Sequence, residues 1–217
     1  KSVSKNKLGD DLVGAERTIK MDVDDDGTDE TYTLRIVNTE TEDACSEENF
    51  SQTACGFVIE FVDIPISKSI NETKTVQGAW KDSNLRAYLN SNFYNLLPTD
   101  LKNVIINTKV VSSHTIDETE NYTTTDKIYL GTIKEFIGVD KTVETSYSKN
   151  RQFDYYISTS NSTIKKYNNG AYAYWTRSVS SYDKYPTHFC IMMDQDRING
   201  ARSPNREAGV APIFRIG

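Results

Sequence analysis

The chain has 217 residues, 37% of them hydrophobic, with 25 Lys and Arg against 31 Asp and Glu for a formal charge of −6. A mean hydropathy of −0.58 and the lack of any apolar run of about 18 residues exclude a membrane-spanning helix. A pI near 5.1 argues against nucleic acid as a partner, because that affinity rests on neutralising phosphates. Thirteen Tyr and eight Phe argue against disorder, which leaves one globular domain as the expectation at this length.

The acidity is local: residues 1–60 hold 15 acids and 6 bases, the rest 16 and 19. Residues 1–17 read as a tail or linker and 18–217 as a single domain. Ile19, Met21 and Val23 alternate with polar residues, as do Tyr32, Leu34 and Ile36, so residues 18–37 read as a β-hairpin with the turn-rich tip Asp24-Asp25-Asp26-Gly27-Thr28. Residues 39–56 are a polar loop holding Cys45 and Cys55, which either close a small ring or stay as two thiols. Residues 57–66 read as a strand ended near Pro65. A helix starts at Asp82 or Ser83, either of which can cap it, and Leu85, Tyr88, Leu89, Phe93, Leu96 and Leu97 recur on one face. Pro98 stops it, and residues 99–105 read as a short second helix. A strand over 126–131 follows, then a helix opened by the capping-box spacing Thr132 to Glu135 and closed by Gly138. Residues 153–167 read as helical, and 171–178, 187–194 and 211–216 as strands. Strands first, helices in the middle and strands last make an α+β domain.

Four segments then become familiar. Trp80-Lys81-Asp82-Ser83-Asn84-Leu85-Arg86-Ala87-Tyr88-Leu89-Asn90 with Phe93, Thr125-Asp126-Lys127-Ile128-Tyr129-Leu130, Trp175-Thr176-Arg177-Ser178, and Gly209-Val210-Ala211-Pro212-Ile213-Phe214 resemble, in this order, the motifs of an uncharacterised domain family. Its members are secreted and cell-surface proteins of anaerobic, often gut-dwelling, Gram-positive bacteria. The similarity runs from about Thr18 to Ile216. Tyr88 stands where the family has Trp, Ala211 where it has Arg, and the Cys45–Cys55 loop looks like an insertion. The resemblance implies a C-type-lectin-like or formylglycine-enzyme-like layout: a central antiparallel sheet whose first and last strands pair, two main helices, and long irregular loops. It brings no activity with it. Because Trp175 and Arg177 belong to these motifs, they read as structural, an indole in the core and a guanidinium holding backbone carbonyls.

The sharpest chemical signal is the acidic tip. Asp22, Asp24, Asp26 and Gly27 match positions 1, 3, 5 and 6 of a calcium loop and Glu30 falls at position 9, the alternating oxygens that a hard cation needs. Thr33 stands where an EF-hand has its bidentate Glu, and a solvated Asp-Gly turn explains the same residues. Calcium is thus the one candidate cofactor. The stretch Asp194-Gln195-Asp196-Arg197-Ile198-Asn199-Gly200 reads more simply as a polar hairpin connection.

Eight of the 13 tyrosines lie between Tyr147 and Tyr185. On strand 171–178, Tyr172 and Tyr174 share one face, and with Tyr182 and Tyr185 they are candidates for a ligand-binding surface of amphipathic rings. Arg202 and Arg206, in a loop with Pro204 and Asn205, are candidates for bidentate contacts to carboxylates or acidic glycans. Catalysis finds no support. There is no nucleophile elbow, zinc motif, phosphate loop or dinucleotide fingerprint, and His188 beside Cys190 reads as a core pair without an orienting partner. The expected protein is an extracellular or cell-surface binding module, adhesin-like and non-catalytic, recognising a glycan or a protein. A spacer module of a larger surface protein is the alternative, and an enzyme using carboxylates without a local signature is the third.

Overall fold

The computed structural model describes residues 12–138, 150–181 and 184–217. The alternating pattern at the start does build the expected hairpin. β1 (Glu16–Met21) pairs antiparallel with β2 (Glu30–Asn38), Arg17 opposite Leu34 and Ile19 opposite Tyr32, and it starts two residues before the expected boundary. Cys45 and Cys55 are disulfide-bonded across the following loop. The single strand expected over 57–66 is two strands, β3 (Val58–Phe61) and β4 (Ile66–Lys68). The chain turns at Asp63, whose carboxylate accepts the Lys166 N–H at 3.0 Å, and Pro65, lacking an N–H, cannot continue a ladder.

The main helix, α1 (residues 84–96), starts where Ser83 accepts the Arg86 N–H at 3.2 Å. Its middle turn, Leu89–Phe93, is wound as a π-helix, and Leu85, Leu89, Phe93 and the following Leu97 face the core. The second helix, α2 (Thr99–Lys102), ends earlier than its apolar pattern suggests, because Ile105 is drawn into a bridge with Ile216. Next comes a hairpin with no clear alternation in the sequence: β5 (Thr108–Ser112) with β6 (Tyr122–Asp126). The strand expected at 126–131 is therefore displaced toward the N-terminus, and beyond Asp126 only Tyr129 makes a bridge, to Ile213.

Local chemistry is decisive for α3 (Ile133–Ile137). The Thr132 hydroxyl accepts the Glu135 N–H, the Glu135 carboxylate accepts the Thr132 N–H, and Gly138 ends the helix at φ 71, a region open to glycine. The helix expected over 153–167 shrinks to one turn, α4 (Asp154–Ile157). Beyond it Asn161 Nδ2 donates to Tyr155 O at 2.6 Å and the Ser162 hydroxyl accepts the Ile164 N–H at 3.1 Å, bonds that compete with helix formation. A small hairpin follows, β7 (Lys166–Tyr167) and β8 (Gly170–Ala171), turning at Asn168 and Asn169 with φ of 50 and 65. The chain ends with β9 (Tyr174–Val179), β10 (Phe189–Met192), β11 (Asn199–Arg202), β12 (Ala208–Val210) and β13 (Ile213–Arg215). The expected polar hairpin connection is present between β10 and β11.

Two larger sheets replace the single central one. The first, β1-β2-β3-β13, is antiparallel throughout; the second runs β11-β10-β9-β12-β4, with β9 and β12 parallel. Ala211 and Pro212 carry the chain from one sheet to the other. The last strand pairs with β3 and not with β1, which corrects the pairing the resemblance implied. Trp80, Trp175, Phe61, Phe93, Phe136, Phe153 and Phe189 are buried in one continuous core. Fold class is thus mixed α and β, with strands dominating and one long helix among the described residues.

Candidate functional site

The four sequence motifs meet inside the molecule, and residues of the first three hold two of the three buried carboxylates, Asp126 and Glu135. Asp126 accepts from Trp80 Nε1 at 3.0 Å, Thr124 Oγ1 at 2.9 Å and Arg86 Nε at 2.7 Å. Asn90, one turn beyond Arg86, accepts the N–H groups of Lys127 and Ile128 and donates to Ile128 O at 2.8 Å. Glu135, already the capping-box residue, is bound by both terminal nitrogens of Arg177 at 2.6 and 2.8 Å and by the Thr53 hydroxyl. Arg177 also donates to Leu130 O at 2.5 Å, and the Trp175 indole N–H donates to Lys68 O at 2.8 Å. Both residues are fully buried, so the structural reading of this pair holds. Charges out of water persist only when paired and hydrogen-bonded, and these residue types supply the partners.

Glu60 is the third. Arg35 Nε donates to it at 3.0 Å, Tyr156 OH at 2.9 Å and Lys165 Nζ at 2.9 Å, and Lys165 reaches Phe61 O and Val62 O as well. Burial by itself would raise the Glu60 carboxyl, but the Lys165 ammonium and the Arg35 guanidinium outweigh it and hold it below the usual carboxylate range. The outer face of Arg35 lies 4.0 Å over the Tyr155 ring. The signal for this cluster was a glutamate in the middle of the apolar run Val58-Ile59-Glu60-Phe61; nothing in the sequence pointed to Lys165 as its partner.

The acidic tip is built differently. The carboxylate oxygens of Asp22, Asp24, Asp26 and Glu30 lie within 4.8 Å of one another, close enough for one cation with oxygen ligands at about 2.3–2.6 Å. Asp22 also accepts the N–H groups of Asp26 and Gly27, Asp26 that of Thr28, and Glu30 that of Val23. The tip is therefore a hydrogen-bonded turn that also gathers four carboxylates at close range. Close by, burial and the neighbouring carboxylates of Glu30 and Asp24 push the Tyr32 hydroxyl up to about 12.

The tyrosine surface does not form as expected. Tyr174 is wholly buried, its hydroxyl donating to Thr163 O at 2.8 Å and its ring edge-on to Phe136. It therefore leaves the candidate list as a core residue. Tyr172, outside β9, is half-buried with its ring 5.5 Å from that of Tyr167. Tyr185 is exposed and packs on the His188 ring at 5.1 Å. Tyr182 lies outside the described residues. Arg202 belongs to β11, not to a loop, and its guanidinium donates to Glu207 O at 2.6 Å, whereas Arg206 is exposed. Cys190 is buried inside β10 while His188 precedes that strand. A role the sequence did not suggest belongs to Arg197, which donates to the carbonyls of Tyr156, Ser158 and Asn161 and so ties the β10–β11 connection to the chain after α4.

Among the described residues, two surface concavities stand out. One, of about 810 Å³, lies between the face of the first sheet and α2. It is lined by the aliphatic side chains of Ile19, Leu34, Ile36, Ile59, Leu101 and Val104, with Arg17, Lys20 and Asp100 among the charged residues around it. Val104 is 41% exposed, an aliphatic side chain open to water at the groove wall. The other, of about 570 Å³, is a mixed cleft with Lys74, Gln77, Thr115, Asp117, Glu118 and Thr187 on its walls beside Val76, Ile116 and Pro186. In it Glu118 is held by Tyr122 OH and by the Thr115 hydroxyl and N–H, which keep its carboxyl below the usual range. No sequence signal marked either concavity, because each is assembled from distant segments.

A family model described as a domain of unknown function (DUF6273) matches residues 59–217. That segment holds all four motifs and all three buried carboxylates, while β1, β2, the acidic tip and the disulfide loop precede it. No curated protein and no solved structure matches the chain.

Proposed function

The chain belongs to the DUF6273 family, and from that premise we propose that it is a non-catalytic binding module, extracellular or attached to a cell surface, whose ligand is an extended segment of another protein. The single observation that carries this reading is the groove beside α2. An aliphatic lining with charged residues around it and one exposed aliphatic side chain suits an extended chain with alternating apolar and charged side chains. The disulfide Cys45–Cys55 supports an oxidising location. The motif residues support the reading indirectly, since they are engaged inside the fold and leave recognition to the surface. The C-type-lectin-like layout and the origin in Gram-positive surface proteins belong to this proposal too.

A second reading, glycan recognition, has its own observation. The cleft beside Asp117 offers amide, hydroxyl, ammonium and carboxylate groups, the donors and acceptors that sugar hydroxyls need. One experiment separates the two. The domain is screened against arrays of extended peptides and of glycans, alongside Val104→Asp in the groove and Asp117→Ala in the cleft. Both sites are exposed, so folding is unaffected. Peptide binding lost only in V104D is the expected result. Glycan binding lost only in D117A moves the function to the cleft, and silence on both arrays leaves a spacer module.

A further inference from the structure

The first sheet treats its two edges unequally. At β13 the chain is covered: Ile213 bridges to Tyr129, Ile216 to Ile105, and Ile106 N donates to Arg215 O at 3.0 Å. At β1, among the described residues, only β2 pairs with the strand. Ile36 N donates to Ala15 O at 3.0 Å. Ladder bonds alternate along a strand, so the backbone groups of Arg17 and Ile19 face β2, and those of Glu16, Thr18 and Lys20 face outward without a ladder. The side chains of Glu16, Arg17, Thr18 and Lys20 are exposed.

Charges on an edge strand ordinarily prevent pairing by bringing like charges together. Here their order does the opposite. When Glu16–Met21 is laid antiparallel against itself with Thr18 opposite Thr18, Glu16 of each copy falls opposite Lys20 of the other. Opposite charges directly across a pair of strands are stabilising, and the residues brought together are those whose N–H and C=O groups point outward. We propose that β1 is a self-pairing edge through which two copies of this chain join about a two-fold axis at Thr18. The two four-stranded sheets become one sheet of eight.

The axis stands perpendicular to the sheet, because antiparallel neighbours in one sheet keep their faces. Both grooves then lie on the same side, next to each other, and a partner with repeated segments is held at two points, which raises avidity without any new contact. The pairing stands on the edge strand alone and does not depend on what the groove binds.

The test is sedimentation equilibrium of the full chain, without ligand, over a series reaching about 1 mM, since so small an interface is weak and transient. The expected result is a reversible monomer–dimer equilibrium. Lys20→Glu sets Glu against Glu twice and weakens it about tenfold. The swapped double variant Glu16→Lys with Lys20→Glu recovers most of that loss. Thr18→Pro removes an outward N–H that β2 does not use and abolishes the dimer. Circular dichroism and melting of each variant exclude unfolding as the cause. Should T18P fail to fold, K20E decides alone, because it leaves the Glu16–Arg35 contact at 3.5 Å intact, whereas the swapped variant sets Lys beside Arg35 there. A monomer at every concentration, including one that still captures peptides, overturns the proposal. So does a dimer indifferent to the charge reversal.

Discussion

The buried carboxylates of Glu60, Glu135 and Asp126 and the exposed or half-buried ones of Asp22, Asp24, Asp26 and Glu30 are the same chemical group put to opposite uses. Each buried one is dry and ringed by donors: Arg35, Tyr156 and Lys165 at Glu60, Arg177 and Thr53 at Glu135, Trp80, Arg86 and Thr124 at Asp126. The four at the tip lie close to one another near the surface and accept from backbone N–H groups. Desolvation makes the first set intolerant of losing a partner, because the remaining charge is left unpaired in a low-dielectric interior. In the second set water supplies what the protein does not, and oxygen lone pairs stay available to a cation. The location of an acid, more than its number, therefore separates residues that hold this fold from residues that can meet a ligand.

The sharpest way to break this contrast is at Glu135. Arg177→Met removes the guanidinium and leaves a buried carboxylate with its charge, at an expected cost of about 3–5 kcal/mol in urea unfolding. Adding Glu135→Gln to it recovers part of the loss, and a cost below about 1 kcal/mol for the single change would put Glu135 with the surface acids. Glu60→Gln, which keeps the shape and one acceptor, costs about 2–3 kcal/mol at neutral pH. It also flattens the acid limb of the stability profile. The native Glu60 carboxyl titrates below its unfolded value of about 4.3, so at intermediate pH the unfolded chain binds more protons. Its stabilisation is complete above that unfolded value and is lost as pH falls through the lowered native one. A wild-type and E60Q pair with parallel acid limbs is the result that counts against this. Trp80→Phe removes one of three donors to Asp126 and costs about 1–2 kcal/mol, less than losing an ionic partner. Denaturant titration of the paired variants reads the ranking.

At the tip the effects are the smallest and depend on solution conditions. Asp24→Asn with Asp26→Asn leaves the melting temperature in chelator within about 1 °C. Calcium at roughly ten times its dissociation constant raises the wild-type melt by about 3 °C and the double variant not at all. A wild-type melt indifferent to calcium makes the tip a turn closed by its own backbone and nothing more.

Legibility follows the same division. Elements whose cause is local could be read in advance: the first hairpin from its alternation, α1 from Ser83 and its apolar stripe, α3 from the Thr132–Glu135 spacing and Gly138. Elements that depend on distant partners could not. The β5–β6 hairpin is rich in Thr and shows no clean apolar alternation. The helical expectation at 153–167 failed where Asn161 and Ser162 bond their own backbone, and the strand at 57–66 broke because its two ends serve different sheets. Tyr174 read as a surface ring because alternation shows which side of a strand a residue takes but not which side is covered; in this fold Phe136 and Thr163 cover it.

By itself the sequence determined a polar composition without an apolar spanning segment, the hairpin and its acidic tip, the principal helices' starting points, and the order of four motifs. These follow from interactions within a few residues of one another or from simple counts. Only the tertiary structure decided that the motifs meet to neutralise buried carboxylates. It alone chose Lys165 from 25 Lys and Arg as a partner for Glu60, opened a groove between β2 and α2, and left β1 paired on one side only among the described residues. Each of these depends on which distant segments share a dry interior or an uncovered rim, and burial sets that strength of interaction in a way no local spacing records.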